Sequence, residues 1–185
     1  MVPILETERL RLREFRESDL DRWSAVMADP ATVRYVGNQQ LSREETWRRL
    51  LTSGGLWPMF GFGYWAAERK EDGLLVGHVG FADFKRDMTP SIEGLPEAGW
   101  IFAPDAHGQG YASEALAAVL AWADRSLARD IVAIIDADNS PSIRLAERSG
   151  FSSREQATYK GEPILLLRRS AASPAGSAAA SAATA

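Results

Sequence analysis

The chain has 185 residues, 45% hydrophobic and 25% charged, with a formal net charge of −4 and no cysteine. That length fits one domain able to bury a sizeable core, and no apolar run approaches the length a membrane span needs. Without cysteine there are no disulfides, thiolate metal sites or cysteine nucleophile. With His78 and His107 the only histidines, a zinc site would depend on carboxylates.

A nucleic-acid binder usually carries a basic patch, because phosphate neutralisation dominates its affinity; here no Lys/Arg run exceeds a pair. The mildly acidic balance suits a cationic partner better. Met1 to Leu12 has scattered charges and no apolar stretch, so no signal peptide is expected and the protein is expected to be cytoplasmic.

Leu10, Leu12 and Phe15 alternate around Arg11 and Arg13, which predicts a first strand. Ser18, followed by Asp19 and Asp21, reads as the N-cap and acidic first turn of a helix through Trp23, Val26 and Met27 that stops before Pro30. Ser42-Arg-Glu-Glu45 matches a capping box for a second helix carrying Trp47, Leu50 and Leu51, with Gly54-Gly55 as its end. Tyr64–Glu68 and Leu75–Phe81, joined by the polar turn Lys70 to Gly73, form a hairpin. Glu97–Phe102 is a further strand closed by Pro104.

Ala112–Leu127 is the clearest helix, with Ala112, Ala115, Leu116, Val119, Leu120 and Ala123 on one face. Ile131–Ile135 is apolar throughout, as in a strand covered on both faces. A short helix, Ser140–Arg148, and two strands, Ser152–Ala157 and Pro163–Arg168, complete a domain spanning residues 1–169. Residues 170–185 are nearly all Ala and Ser, too poor in large apolar groups to offset the entropy of ordering, and are expected to be disordered. The element order predicts an α/β protein with a mixed sheet and helices on its faces.

Two stretches carry chemistry. In the first, a strand ends at Phe102, a glycine-containing loop follows, and a long helix starts at once. Free backbone N–H groups and the positive end of the helix then converge on one spot, an anion site, although the same pattern also describes an ordinary strand-to-helix turn. In the second, Asn139 and Ser142 open a helix that ends at Gly150-Phe151; a helix cap and a core aromatic explain these residues equally well.

Together the two stretches resemble the GNAT superfamily of N-acetyltransferases. Its coenzyme motif, Gln/Arg-x-x-Gly-x-Gly/Ala, is matched around His107-Gly108-Gln109-Gly110-Tyr111-Ala112, and its Asn-x-x-Ser/Ala, helix, Gly-Phe motif by Asn139, Ser142 and Gly150-Phe151. The opening Thr7–Arg13 and the Gly-x-Gly-Tyr-Ala-x-Glu-Ala form look like the branch that acetylates ribosomal-protein N-termini. The resemblance covers residues 6–168. It implies a mixed, mostly antiparallel sheet with a V-shaped splay between the strands Glu97–Phe102 and Ile131–Ile135, with helices on both faces.

It also implies acetyl-CoA as cosubstrate and no metal. Pantetheine would pair with the backbone of Trp100, Ile101 and Phe102, the pyrophosphate would lie on the loop His107–Ala112, and Asn139 would bind the pantetheine arm or nearby backbone. The acceptor would be an amine, a protein N-terminus or a small molecule, attacking directly in a ternary complex, and the protein a monomer or homodimer with no nucleic-acid or membrane partner. There are departures. His107 stands where Gln or Arg is usual, and Ala146 stands where many members have a thiolate-protonating Tyr.

An attacking amine must lose a proton; the family often places a carboxylate on the strand that Glu97 starts, so the resemblance makes Glu97 the candidate base, directly or through water, with Glu93 the weaker alternative. The branch that the chain resembles often lacks the thiolate-protonating Tyr too, and there the position of Ser142 is the candidate proton donor to the leaving thiolate. A backbone N–H near Trp100 or Ile101 is the candidate oxyanion donor. The competing readings make Glu97 an exposed strand-end residue, Ser142 a packing residue and Glu114 a support of the helix dipole. The aromatic group Trp57, Phe60, Phe62, Tyr64 and Trp65 is either core or acceptor pocket, and His78 reads as structural. The alternative to an enzyme is a catalytically weak acyl-CoA-binding sensor or regulatory module.

Overall fold

The computed structural model describes residues 1–171; all but the first two positions of the expected disordered tail lie outside the described residues. The chain enters through β1 (Leu5–Glu6) and β2 (Leu10–Arg13), turns through a 3-10 segment, and forms α1 (Leu20–Met27), α2 (Pro30–Val33) and α3 (Arg43–Phe60). The hairpin β3 (Tyr64–Arg69) and β4 (Leu75–Ala82) follows, then β5 (Met88–Thr89), β6 (Glu97–Phe102), α4 (Tyr111–Ser126), β7 (Ile131–Ile135), α5 (Ser140–Arg148), β8 (Ser153–Tyr159) and β9 (Glu162–Arg169). The nine strands make one sheet in the order β1-β2-β3-β4-β6-β7-β9-β8-β5. Every neighbouring pair is antiparallel except β6 and β7.

Successive residues of β3 show how the layers form. Trp65 points to the α4 side, where it packs edge-on against Trp122 at 5.1 Å between ring centres, with Trp57 closing the group. Tyr64 points to the other side, toward Leu56 and Phe60 of α3. The pleat's period of two thus sends one aromatic into each layer.

Several expectations are corrected. Arg13 is not on a solvent face: it is 3% exposed and grips Asp19 through two 2.8 Å bonds and Glu68 through one of 2.6 Å. Asp19 is therefore an ion-pair partner as well as a helix-start residue, its Oδ2 also accepting from Arg16 N–H, and Ser18 lies inside the 3-10 turn instead of capping α1. A buried guanidinium with three charge-assisted bonds is tolerable; stripped of its carboxylates it would cost several kcal/mol.

The capping box at Ser42 and Glu45 is present, but α3 runs past Gly54-Gly55 to Phe60 and ends at Gly61 in the left-handed conformation (φ 74°). Leu56 and Trp57 are both buried, and their packing outweighs the local helix-breaking preference of the two glycines. The short α2 and the two-residue strands β1 and β5 escaped the sequence patterns; α2 starts at Pro30 with Asp29 as its cap. No helix among the described residues is long and apolar enough to cross a membrane.

Candidate active site

The central feature is a sheet that opens. β6 and β7 are paired at one position, Glu97 with Val132, reinforced by a 3.0 Å bond from Val132 N–H to the Pro96 carbonyl. Beyond it the two strands part. Gly99, Trp100 and Ile101 are half-buried although β6 lies in the middle of the sheet. A strand edge that faces a gap instead of a neighbour offers unpaired N–H and C=O groups to an extended ligand.

The gap leads to the start of α4. Gly108 and Gly110 both adopt left-handed backbone (φ 74° and 81°), and space around the Gly108 Cα is open. Gly110 is the N-cap of α4 and no side chain caps the helix. The N–H groups of Tyr111, Ala112 and Ser113 therefore lack intrahelical partners and form a ready anion cradle.

Neighbouring side chains hold this loop in shape. His107 Nε2 donates to the Phe102 carbonyl (2.9 Å) and Gln109 Nε2 to that of Asp105 (2.8 Å). The His107 imidazole, standing where Gln or Arg is usual, thus braces the loop, and Tyr111 is buried beneath the Arg9 guanidinium, 4.7 Å from its ring centre.

The N-terminal segment supplies a clamp that the spacing of single motifs did not reveal. Arg9 donates to the Gln109 carbonyl (2.8 Å) and to Glu114 (2.7 Å), and Glu114 also accepts from the Thr7 hydroxyl (2.6 Å) and the Arg9 N–H (2.8 Å). Although burial opposes its charge, these donors hold the Glu114 carboxyl below the usual range. Glu114 thus ties the opening Thr-Glu-Arg to the glycine loop, beyond supporting the helix dipole.

Across the gap, the Asn139 side chain caps α5 by accepting from Ser142 N–H (3.2 Å). Ser142 is brought to β6, its Oγ accepting from Trp100 Nε1 at 3.3 Å. The hydroxyl proton of Ser142 is left for another acceptor. Ala146 is fully buried, so the position that often carries Tyr here faces packed core.

Glu97 is not an exposed strand end. It is 5% exposed, and both oxygens bind Arg86, at 2.5 Å to Nε and 2.8 Å to Nη2. Arg86 also donates to the Tyr159 hydroxyl (2.9 Å). A carboxylate has about four lone-pair sites, so a further donor such as water can still be accommodated. Arg86 and Tyr159 went unseen in the sequence because nothing local marks a loop arginine as the partner of a strand carboxylate. Glu93 is exposed and lies near Lys85 (3.4 Å) instead of the gap.

The aromatic group divides. Trp57 and Trp65 are core, Phe60 and Phe62 stack at 5.6 Å, and Tyr64 lies against His78 at 4.7 Å and 9° between rings. His78, enclosed by Trp23, Phe15 and Tyr64, is pushed down to about 3 by burial, with the charge of Arg49 adding to it. It is a neutral packing ring at physiological pH. Among the described residues no group of three or more His, Asp or Glu side chains is placed to hold a metal ion.

Comparisons with known proteins point the same way. Residues 9–152 match the acetyltransferase (GNAT) domain family. The chain is 29% identical over 153 residues to YoaA, an N-acetyltransferase of Bacillus subtilis (strain 168) described as uncharacterised, covering 82% of this chain and 84% of that one. It is similar to the structure of a Bordetella pertussis protein assigned to the GnaT family of acetyltransferases, with 34% identity, a TM-score of 0.79, and coverage of 91% and 100%. The ribosomal L7/L12 α-N-protein acetyltransferase RimL, solved with coenzyme A, shares the fold at 19% identity and a TM-score of 0.70, with coverage of 91% and 98%.

Proposed function

The chain belongs to the GNAT acetyltransferase family, and from that premise we propose that it moves the acetyl group of acetyl-CoA to a primary amine, either a protein N-terminus or a small molecule, by direct attack in a ternary complex. The observation that carries this reading is the opening of the sheet after Glu97 and Val132 beside the uncapped start of α4. An extended acyl-pantetheine arm fits the free edge at Trp100, Ile101 and Phe102. A pyrophosphate fits the amides of the His107–Ala112 loop, and no metal is needed to balance its charge there. Asn139 fixes the first turn of α5 beside the arm.

The reaction needs three services. The ammonium must give up a proton, which passes to Glu97, through a water held at its remaining lone pairs. The carbonyl oxygen must be supported as negative charge develops, by a backbone N–H near Trp100 or Ile101. The departing thiolate, whose conjugate acid resembles a cysteine near pKa 8.5, takes a proton from Ser142 or from solvent.

Titration calorimetry with acetyl-CoA tests the first claim. The wild type should bind in the micromolar range, and Gly108→Glu/Gly110→Glu, shown to be folded, should not; failure of the wild type to bind sinks the reading. A thiol-release screen over amines and N-terminal peptides then identifies the acceptor.

A second reading, an acyl-CoA sensor without turnover, draws support from the pairing of both Glu97 oxygens with Arg86 and from the buried Ala146. Glu97→Gln decides between them. Retained coenzyme binding with turnover lost supports the enzyme, whereas a wild type that binds but acetylates nothing supports the sensor.

A further inference from the structure

Tyr64 occupies an unusual place for a core tyrosine. Register places Tyr64, Gly80 and Gly99 in one row across β3, β4 and β6. Neither glycine has a side chain to stand in the way, so the phenol can lie across the sheet from β3 to β6, with His78 stacked on it. Its far end arrives at Gly99: a Cβ built there would be 2.5 Å from the Tyr64 hydroxyl. Gly99 is the first of the three half-buried residues at the sheet's opening.

The hydroxyl is also idle. The hydrogen bond at Tyr64 involves its backbone carbonyl, which accepts from Trp57 Nε1 (3.1 Å), and the hydroxyl has no partner among the described residues. The fully buried side-chain oxygens without partners are those of Ser24 and Thr32, so the Tyr64 hydroxyl adjoins open space despite its buried ring. A hydroxyl that reaches open space beside Gly99 is free to donate to a group bound there. Burial, and then the negative charge of Glu97, raise the Tyr64 pKa, so the group is a permanent donor and not a base.

We propose that the Tyr64 hydroxyl is a catalytic residue that donates a hydrogen bond to the thioester carbonyl oxygen and strengthens it as that oxygen becomes an oxyanion. The assignment rests on the acetyltransferase reading, in which the thioester carbonyl is supported by a backbone N–H near Trp100 or Ile101, next to Gly99. Glu97 and Gly99 are two residues apart on one strand, so the base and this donor share the sheet face opposite α4. The amine attacks the carbonyl carbon and a C–N bond forms. The carbonyl π pair moves to oxygen, where Tyr64 and a backbone N–H support it. Collapse restores the carbonyl and breaks the C–S bond, the thiolate leaves, and the amine's proton departs toward Glu97.

The test is infrared difference spectroscopy of acetyl-CoA labelled with carbon-13 at the carbonyl, bound to wild type, Tyr64→Phe and Gly99→Ala. Removing an unpartnered hydroxyl leaves the packing intact, and titration with CoA itself, which lacks the acetyl group, should be unchanged in Tyr64→Phe. The carbonyl band should lie lower in wild type than in Tyr64→Phe. Gly99→Ala, which displaces the hydroxyl, should resemble Tyr64→Phe. Turnover by Tyr64→Phe should fall about 100-fold, the cost typical of losing one oxyanion donor. Equal carbonyl bands in wild type and Tyr64→Phe overturn the role of Tyr64 alone. A wild type that does not bind acetyl-CoA overturns this role together with the acetyltransferase reading.

Discussion

At the scale of single residues, the neutral rings packed beside the gap carry a pH cost. His78 has a folded pKa of about 3 against an ordinary 6.5. Above pH 6.5 it is neutral in both folded and unfolded chains and contributes no pH dependence. As pH falls below 6.5 the unfolded chain takes up a proton that the folded core refuses, so stability declines until the folded pKa is reached. Between pH 7 and pH 5 the expected loss is about 2 kcal/mol. Urea denaturation at the two pH values checks it. His78→Gln, which cannot titrate, should flatten the difference; an equal decline in that variant would assign the effect to other groups. The sequence predicts a structural His78, because an alternating strand places it on a face, but the aromatic box that fixes its protonation comes from three separate elements.

At the scale of elements, α3 separates local preference from tertiary packing. Gly54 and Gly55 sit within the helix with open space where their Cβ atoms would be. They stabilise nothing there and leave the unfolded chain extra freedom. Replacing both with Ala should raise stability by about 1 to 2 kcal/mol without changing the fold, read as a higher melting temperature with unaltered acetyl-CoA binding. A destabilised double variant would show that the glycines serve a bend that α3 needs.

The same contrast explains what could be read in advance. The periodic apolar face of α4, the hairpin with its polar turn, and the glycine loop are local patterns and appear where the sequence predicts them. Gly61 as the true helix end, Arg13 as a buried cation and Arg86 as the partner of Glu97 depend on chain segments brought together by folding. Local spacing does not report such contacts. The candidate site follows this division: the backbone cradle was legible, but the side chains that brace it and engage Glu97 were not.

At the scale of the whole molecule, the sheet is two halves sharing one backbone-paired position. One half ends with β6 and the other begins with β7, and between them Glu97 and Val132 alone are paired. An acyl-pantetheine arm seated along β6 would supply hydrogen bonds that a continuous sheet would have made, so ligand binding and sheet cohesion are linked. At a concentration 100 times its Kd, a ligand that binds only the folded state adds about 2.7 kcal/mol. For a domain of this size that corresponds to a rise of about 5 to 11 °C in Tm. Location is the more searching readout. Hydrogen exchange should slow most at the Trp100 amide, which faces the gap while those of Gly99 and Ile101 face β4, and at the first turn of α4, because those groups are proposed to change from facing the gap to facing ligand. A thermal shift with protection confined to α1 and α3 would place the coenzyme elsewhere and detach the splayed sheet from its function. Protection at the gap and the glycine loop, lost together in Gly108→Glu/Gly110→Glu, would identify the two as parts of one binding surface.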